Sequence, residues 1–218
     1  MSGERRRSPT EGPERLEAFS DAVIAVIITI LALGLRPPID PGAHALRDAI
    51  PGLLIYVLAF VFLAIYWNNH HHLLRATRYI SGEVMWANML LLFWLSLVPV
   101  SIEWIRDTFK WGWLDQHLPV AAFGVVAIGA ALAYAWLVRA IIRANGRDSE
   151  VALAIERDFK GNVSLAIYAV GVAAAFISVP VAYACYVAVA VMWLIPDRRF
   201  THPHEDAGAD PGTGPAPD

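Results

Sequence analysis

The chain has 218 residues, of which 57% are hydrophobic and only 17% charged, with a mean hydropathy of +0.48. A soluble domain carries about a quarter charged residues, so this composition excludes one and defines an integral membrane protein. The formal net charge of -3 says little about partners, and the single cysteine, Cys185, excludes an intrachain disulfide and reads as a small apolar side chain in an apolar run.

Residues 1–14, MSGERRRSPTEGPE, are polar, mixed in charge and broken by Pro and Gly, a composition expected to be disordered. The apolar run beginning about twenty residues in has no convincing small-residue cleavage site and is kept as a first membrane helix rather than a cleaved signal. This helix, residues 15–35, carries Arg15, Glu17, Ser20 and Asp21 in its first two turns and is uncharged from Ala22 to Leu35. That uncharged part is shorter than the roughly 20 residues a lipid-facing span needs, which suits a helix inside a bundle. At 3.6 residues per turn, Ala22, Val26, Thr29 and Leu33 form one smooth stripe. Asp21, Ile24, Ile28 and Leu31 form another about 100° away. Pro37, Pro38 and Pro41 then stop the helix.

A second helix is expected over residues 46–74, ending in the polar string Trp67-Asn68-Asn69-His70-His71-His72. After the turn RATRYISG comes a third, about 83–104, with Asn88 near its start and Pro99 toward its end. A fourth covers 118–138, followed by a charged segment able to form a short amphipathic surface helix. The uncharged stretch Gly161 to Pro196 is nearly twice the length of one span, and Ser178-Val179-Pro180 splits it into helices five and six. The tail, residues 200–218, is rich in Pro, Gly, Ala and Asp and is expected to be disordered. The six-helix domain is therefore drawn at residues 15–199.

Six spans put both termini on one side. With the N-terminus, the 2–3 turn, the 4–5 segment and the tail in the cytoplasm, that side holds thirteen Lys and Arg. The outer loops hold four: Arg36, Arg47, Arg106 and Lys110. This satisfies the positive-inside rule with both termini cytoplasmic, and Trp104, Trp111, Trp113, Trp136 and Trp193 fall near helix ends as an aromatic belt would place them.

That topology puts Ser20, Asp21, Trp67, His71 and Asn88 in one layer just inside the cytoplasmic face. A carboxylate at that depth is costly unless paired, and His71 and Asn88 are candidate donors to it; Trp67 and His71, four apart, share a helix face. The plainer reading leaves Asp21 snorkelling to the interface and His70 to His72 merely interfacial. Three successive histidines diverge by about 100° each and cannot converge on one ion, so no fixed-ligand metal site is expected. No cofactor is implied. No nucleophile–base pair or phosphate-cradling loop is evident, so no enzyme is expected. The 5–7 arginine run is short and flanked by acids, so nucleic acid is not an expected partner.

Arg15-x-x-x-Phe19-Ser20-Asp21 at the start of a first membrane helix resembles the RxxxFSD signature of the transmembrane-protein-175 family of potassium channels. It is joined by the Trp67/His71 pair ending helix two, by Asn88 early in helix three and by six helices with cytosolic termini. The resemblance covers roughly residues 15–199. It implies an all-α channel whose first helix lines a central pore without a re-entrant selectivity loop, in keeping with the absence of any TVGYG-like stretch. Phe19, Ser20 and Asp21 would then fasten helix one to helices two and three through Trp67, His71 and Asn88. The family's hydrophobic constriction corresponds to Val26, where Ile or Leu is common, with Thr29 as a hydroxyl layer and Ile30 or Leu33 as other narrow points.

One such unit cannot enclose a pore, so the resemblance implies a homotetramer, passing potassium ions across a prokaryotic plasma membrane. The expected function is a potassium-selective or weakly selective cation channel. The alternatives are a proton channel or proton-coupled carrier using Asp21 and His71, or a non-conducting scaffold.

Overall fold

The computed structural model describes residues 11–38, 42–108, 116–146 and 159–194. Among them there are α1 (Glu11–Leu33), α2 (Ala43–Arg75), α3 (Gly82–Ser96), α4 (Val98–Thr108), α5 (His117–Asn145), α6 (Phe159–Ala175) and α7 (Val179–Leu194). α3 and α4 make one span, because only Leu97 interrupts them. The spans α1, α2, α3–α4 and α5 are each long and apolar enough to cross a membrane, while α6 and α7 are shorter apolar helices. The described residues are thus all-α, with the six apolar helices expected from the hydrophobic pattern when α3 and α4 count as one, four of them long enough to cross a membrane.

Three boundaries differ from the sequence expectation, each for a local reason. α1 starts at Glu11, within the stretch 1–14 expected to lack structure. Pro13 is harmless there because the first four backbone N–H groups of a helix have no internal acceptor, and Glu14 favours the positive end of the helix dipole. The third helix breaks at Leu97, since Pro99 has no N–H to continue the ladder; Leu97 N–H turns back to the Trp94 carbonyl at 3.2 Å and the regular pattern resumes when Ser101 N–H reaches Leu97 O at 3.0 Å. α5 runs on through Asn145 rather than stopping at 138, so Arg139 to Asn145 extend the span instead of opening a separate surface helix. The rest of that segment, 147–158, and Trp111 and Trp113 lie outside the described residues, as do residues 1–10 and the tail 195–218. The α6–α7 break falls at 176–178, with Val179 opening α7 as the Ser178-Val179-Pro180 signal predicts.

α5 is the central post: it packs against α3, α4 and α6, while α6 packs on α7 and α1 lies against α2, α3 and α4. Its buried face is small, with Ala127, Gly129, Ala130 and Ala133. Between membrane helices lipid tails are as apolar as leucine, so close backbone approach rather than water exclusion holds the bundle together. Gly129 is the clearest case, because a Cβ there would overlap the Trp94 indole on α3.

The end of the bundle where α1 begins, here called the basal end, also collects the end of α2, the start of α3, the end of α5, the start of α6 and the end of α7. Two polar clasps fix it. Asn145 Oδ1 accepts from the backbone N–H groups of Arg78 (3.1 Å) and Tyr79 (2.8 Å), tying the α2–α3 loop to α5. Glu83 Oε1 accepts from Arg143 at 2.6 Å and from Trp136 Nε1 at 3.1 Å. At the opposite end the Arg106 guanidinium donates to the Gly34 carbonyl, just past the last turn of α1, and to Glu103. A cation there complements the negative end of the α1 dipole.

Candidate functional site

At the basal end α1 presents polar groups to two neighbours at once. Ser20 lies fully buried toward α3, and its hydroxyl donates to the Leu16 carbonyl at 2.8 Å. Asn88, also fully buried, donates Nδ2–H to Ser20 Oγ at 2.9 Å. The remaining amide atom, Oδ1, lies 2.7 Å from Nε2 of His70, a third fully buried side chain. Because that Asn88 oxygen can only accept, this assignment of the amide puts the His70 hydrogen on Nε2 and leaves Nδ1 as a bare acceptor, without a hydrogen-bond partner. The chain Leu16–Ser20–Asn88–His70 therefore links α1, α3 and α2 in a dry setting.

A second set, half-buried, faces α2. Trp67 Nε1 donates to Asp21 Oδ1 at 3.0 Å. His71 Nδ1 stands 2.9 Å from Glu17 Oε1, an ion-pair distance without hydrogen-bond alignment, and Arg75 Nε approaches the same oxygen at 3.5 Å. The Trp67 and His71 rings stack with centroids 5.5 Å apart and 25° between planes. The helical register explains this. Glu17 and Asp21 are four apart on α1, opposite Trp67, His71 and Arg75 at four-residue intervals on α2. Ligating atoms of Glu17, Asp21 and His71 lie within 4.8 Å of one another, but Trp67 already holds Asp21 and His71 already faces Glu17.

Several site expectations are corrected here. Asn88 meets His70, not His71, and neither Asn88 nor His71 donates to Asp21, whose partner is Trp67. Phe19 is 48% exposed, and Arg15 is exposed as well. His70, Glu17 and Arg75 were missed. His70 shares a face with Ala59, Phe62, Leu63 and Leu74, all buried, so the apolar spacing of α2 carried the signal that this histidine points inward.

The other face of α1 is exposed among the described residues of the single chain. Ile24 is 0% exposed and Ile27 and Leu31 are nearly as buried, whereas Val26 is 55%, Ile30 52% and Leu33 83% exposed, with Ala22 and Thr29 exposed beside them. Of the stripe Asp21, Ile24, Ile28 and Leu31, Ile24 and Leu31 are buried and Asp21 and Ile28 partly so, with Ile27 buried beside them, while the Ala22–Val26–Thr29–Leu33 stripe is exposed. Thr29 Oγ1 donates to the Val26 carbonyl at 2.8 Å, which fixes its hydrogen along the helix and leaves lone pairs on the oxygen.

The fold and these spans define a multi-pass α-helical membrane protein. Residues 15–99 match the family described as "Endosomal/lysosomal potassium channel TMEM175". A protein of Chryseobacterium sp. (strain P1-3) named as a potassium channel is 43% identical over 186 residues, 85% of this chain and 94% of that protein. The crystal structure of a lysosomal potassium-selective channel TMEM175 homolog from Chamaesiphon minutus superposes with a TM-score of 0.70, covering 84% of this chain and 96% of that one at 21% identity, a likeness of fold. A more distant relative, from Danio rerio, named an endosomal/lysosomal proton channel TMEM175, is 25% identical over 57% of this chain and 25% of its own length. The chain belongs to the TMEM175 family. These matches are to channels, not to enzymes.

Proposed function

We propose that the protein is a passive, potassium-selective channel: a homotetramer in a prokaryotic plasma membrane, both termini cytoplasmic, with α1 of each copy lining a central pore. The observation that carries this reading is the open stripe of α1, in which Val26 and Leu33 are exposed while Ile24, Ile27 and Leu31 of the same helix are buried. One stripe cannot enclose a pore, and fourfold symmetry would set Val26, Thr29, Ile30 and Leu33 of the copies into rings. The potassium-channel names of the bacterial relatives support the ion, and the residues 15–199 supply the conducting unit.

In such a pore the apolar rings hold water weakly and impose a dehydration cost on each ion. The Thr29 layer offsets part of that cost, since oxygens whose hydrogens are taken up by the Val26 carbonyl present only lone pairs to a cation. Arg15 and Phe19 lie in the basal turns of α1, while Ser20 and Asp21, with Trp67, His70, His71 and Asn88, hold α1 at a fixed angle against α2 and α3. In this division the polar network positions the pore helix and the open stripe meets the ion.

A proton-conducting reading has its own support in the name of the fish relative and in the Glu17–His71 approach of 2.9 Å. Cation flux from liposomes containing the purified chain separates the two. Potassium flux exceeding sodium flux, with and without a proton ionophore, is the expected result. Proton flux alone would transfer the function to the Glu17, Asp21 and His71 group, and no flux would leave a scaffold.

A further inference from the structure

A cavity of about 110 Å³ opens on the side of the bundle away from α1, among α2, α5, α6 and α7. Its deeper wall is apolar, with Phe62 and Leu132 facing Leu165 and Val189. Its basal rim is polar, with Asn69, Arg139, Asn162 and Ser164, and Trp193 closes one side by donating Nε1–H to Ser164 Oγ at 2.8 Å. Among the described residues no acidic side chain lines it, and Arg139, exposed at the rim, forms no ion pair with any of them. Asn162 belongs to the first turn of α6, where the helix dipole is positive.

We infer that this crevice is a binding site for one anionic phospholipid of the basal leaflet, with the phosphate against Arg139 and Asn162 and an acyl chain entering between Phe62, Leu132, Leu165 and Val189. The match is one of depth and charge. The cation and amides sit at the helix ends, where headgroups lie, and the apolar wall continues toward the bilayer centre. A pocket between membrane helices that carries a cation, Arg139, and no acid among its described lining residues favours an anionic headgroup over a zwitterionic one. Ordering of α6 and α7 against α2 and α5 by such a lipid is independent of which ion the pore conducts.

The test uses the purified full chain, delipidated in detergent and titrated with phosphatidylglycerol or phosphatidylcholine, with bound lipid counted by native mass spectrometry. Wild type is expected to prefer phosphatidylglycerol by about fivefold, the worth of one basic side chain at an anionic surface. Arg139→Gln and, separately, Asn162→Asp should each remove that preference, while Leu165→Trp, which fills the apolar wall, should reduce binding of both lipids. Inorganic phosphate at millimolar concentration should not compete, which distinguishes a lipid from a free anion. Retention of the preference in both rim variants, full binding in Leu165→Trp, or competition by phosphate overturns the site. So does cross-linking of two copies through a cysteine placed at Leu132, which would make a second copy the occupant.

Discussion

Asn88 Nδ2 donates to Ser20 Oγ at 2.9 Å while Asn88 Oδ1 takes the hydrogen of His70 Nε2, so one amide on α3 uses both ends to hold α1 and α2. With all three side chains fully buried, no water is available to replace a lost partner. Asn88→Leu therefore leaves the His70 N–H and the Ser20 hydroxyl oxygen stranded, at a cost of about 1 to 3 kcal/mol per unpaired buried group. Ser20→Ala strands one group rather than two, the Asn88 Nδ2–H, at a cost of about 1 to 3 kcal/mol. Thermal unfolding in detergent should rank Asn88→Leu well below Ser20→Ala; equal losses would mean that the amide is not the junction.

The Trp67–Asp21 bond makes a different prediction. Asp21→Asn keeps an oxygen acceptor for Trp67 Nε1 and removes only the charge, so fold and potassium flux should survive it. Trp67→Phe removes the donor and also the indole that stacks on His71, and should lower stability by about 1 kcal/mol, tempered by the partial exposure of Asp21. Loss of all flux in an Asp21→Asn protein that still assembles would instead assign that carboxylate to the conduction path.

Gly129 and Trp94 fix how closely α5 approaches α3. Gly129→Ala drives a methyl into the indole face and should destabilise by about 1 to 3 kcal/mol, as overpacking does. Adding Trp94→Leu frees the space, so the double variant should be more stable than the sum of the two single losses predicts. Strict additivity, measured by unfolding midpoints, would show that the two positions do not press on one another.

What the sequence made legible follows from periodicity. The two stripes of α1, the six spans and the α6–α7 break depend on spacing and on proline, both visible along a single helix. The partners in the polar layer depend on how helices rotate against one another. His71 and Asn88 were both candidate donors to Asp21, yet Asn88 pairs with His70, one residue and a rotation of about 100° from His71 on α2, and Trp67 takes Asp21. Arg106 counted only as an outer charge, whereas its side chain is largely buried beneath the Gly34 carbonyl. Nothing in the α4 sequence specifies that α1 ends beside it.

The open stripe of α1 yields the prediction that bears most directly on conduction. Val26→Ala and Leu33→Ala each shrink a ring by several methyl groups if four copies face one another, and should raise single-channel conductance. Thr29→Val tests the other layer, because it keeps the bulk and removes only the oxygen. Conduction should persist while potassium preference falls; forfeiting even about 1 kcal/mol of ion discrimination changes the permeability ratio about fivefold. Thr29→Ser, which restores a hydroxyl able to bond the Val26 carbonyl, should recover the preference. The substitutions at these three positions also report on geometry, since these side chains are exposed in the single chain and contribute little to its core. Currents unaltered by all of them, in protein that remains assembled, would turn this face of α1 toward lipid and require another helix to line the pore.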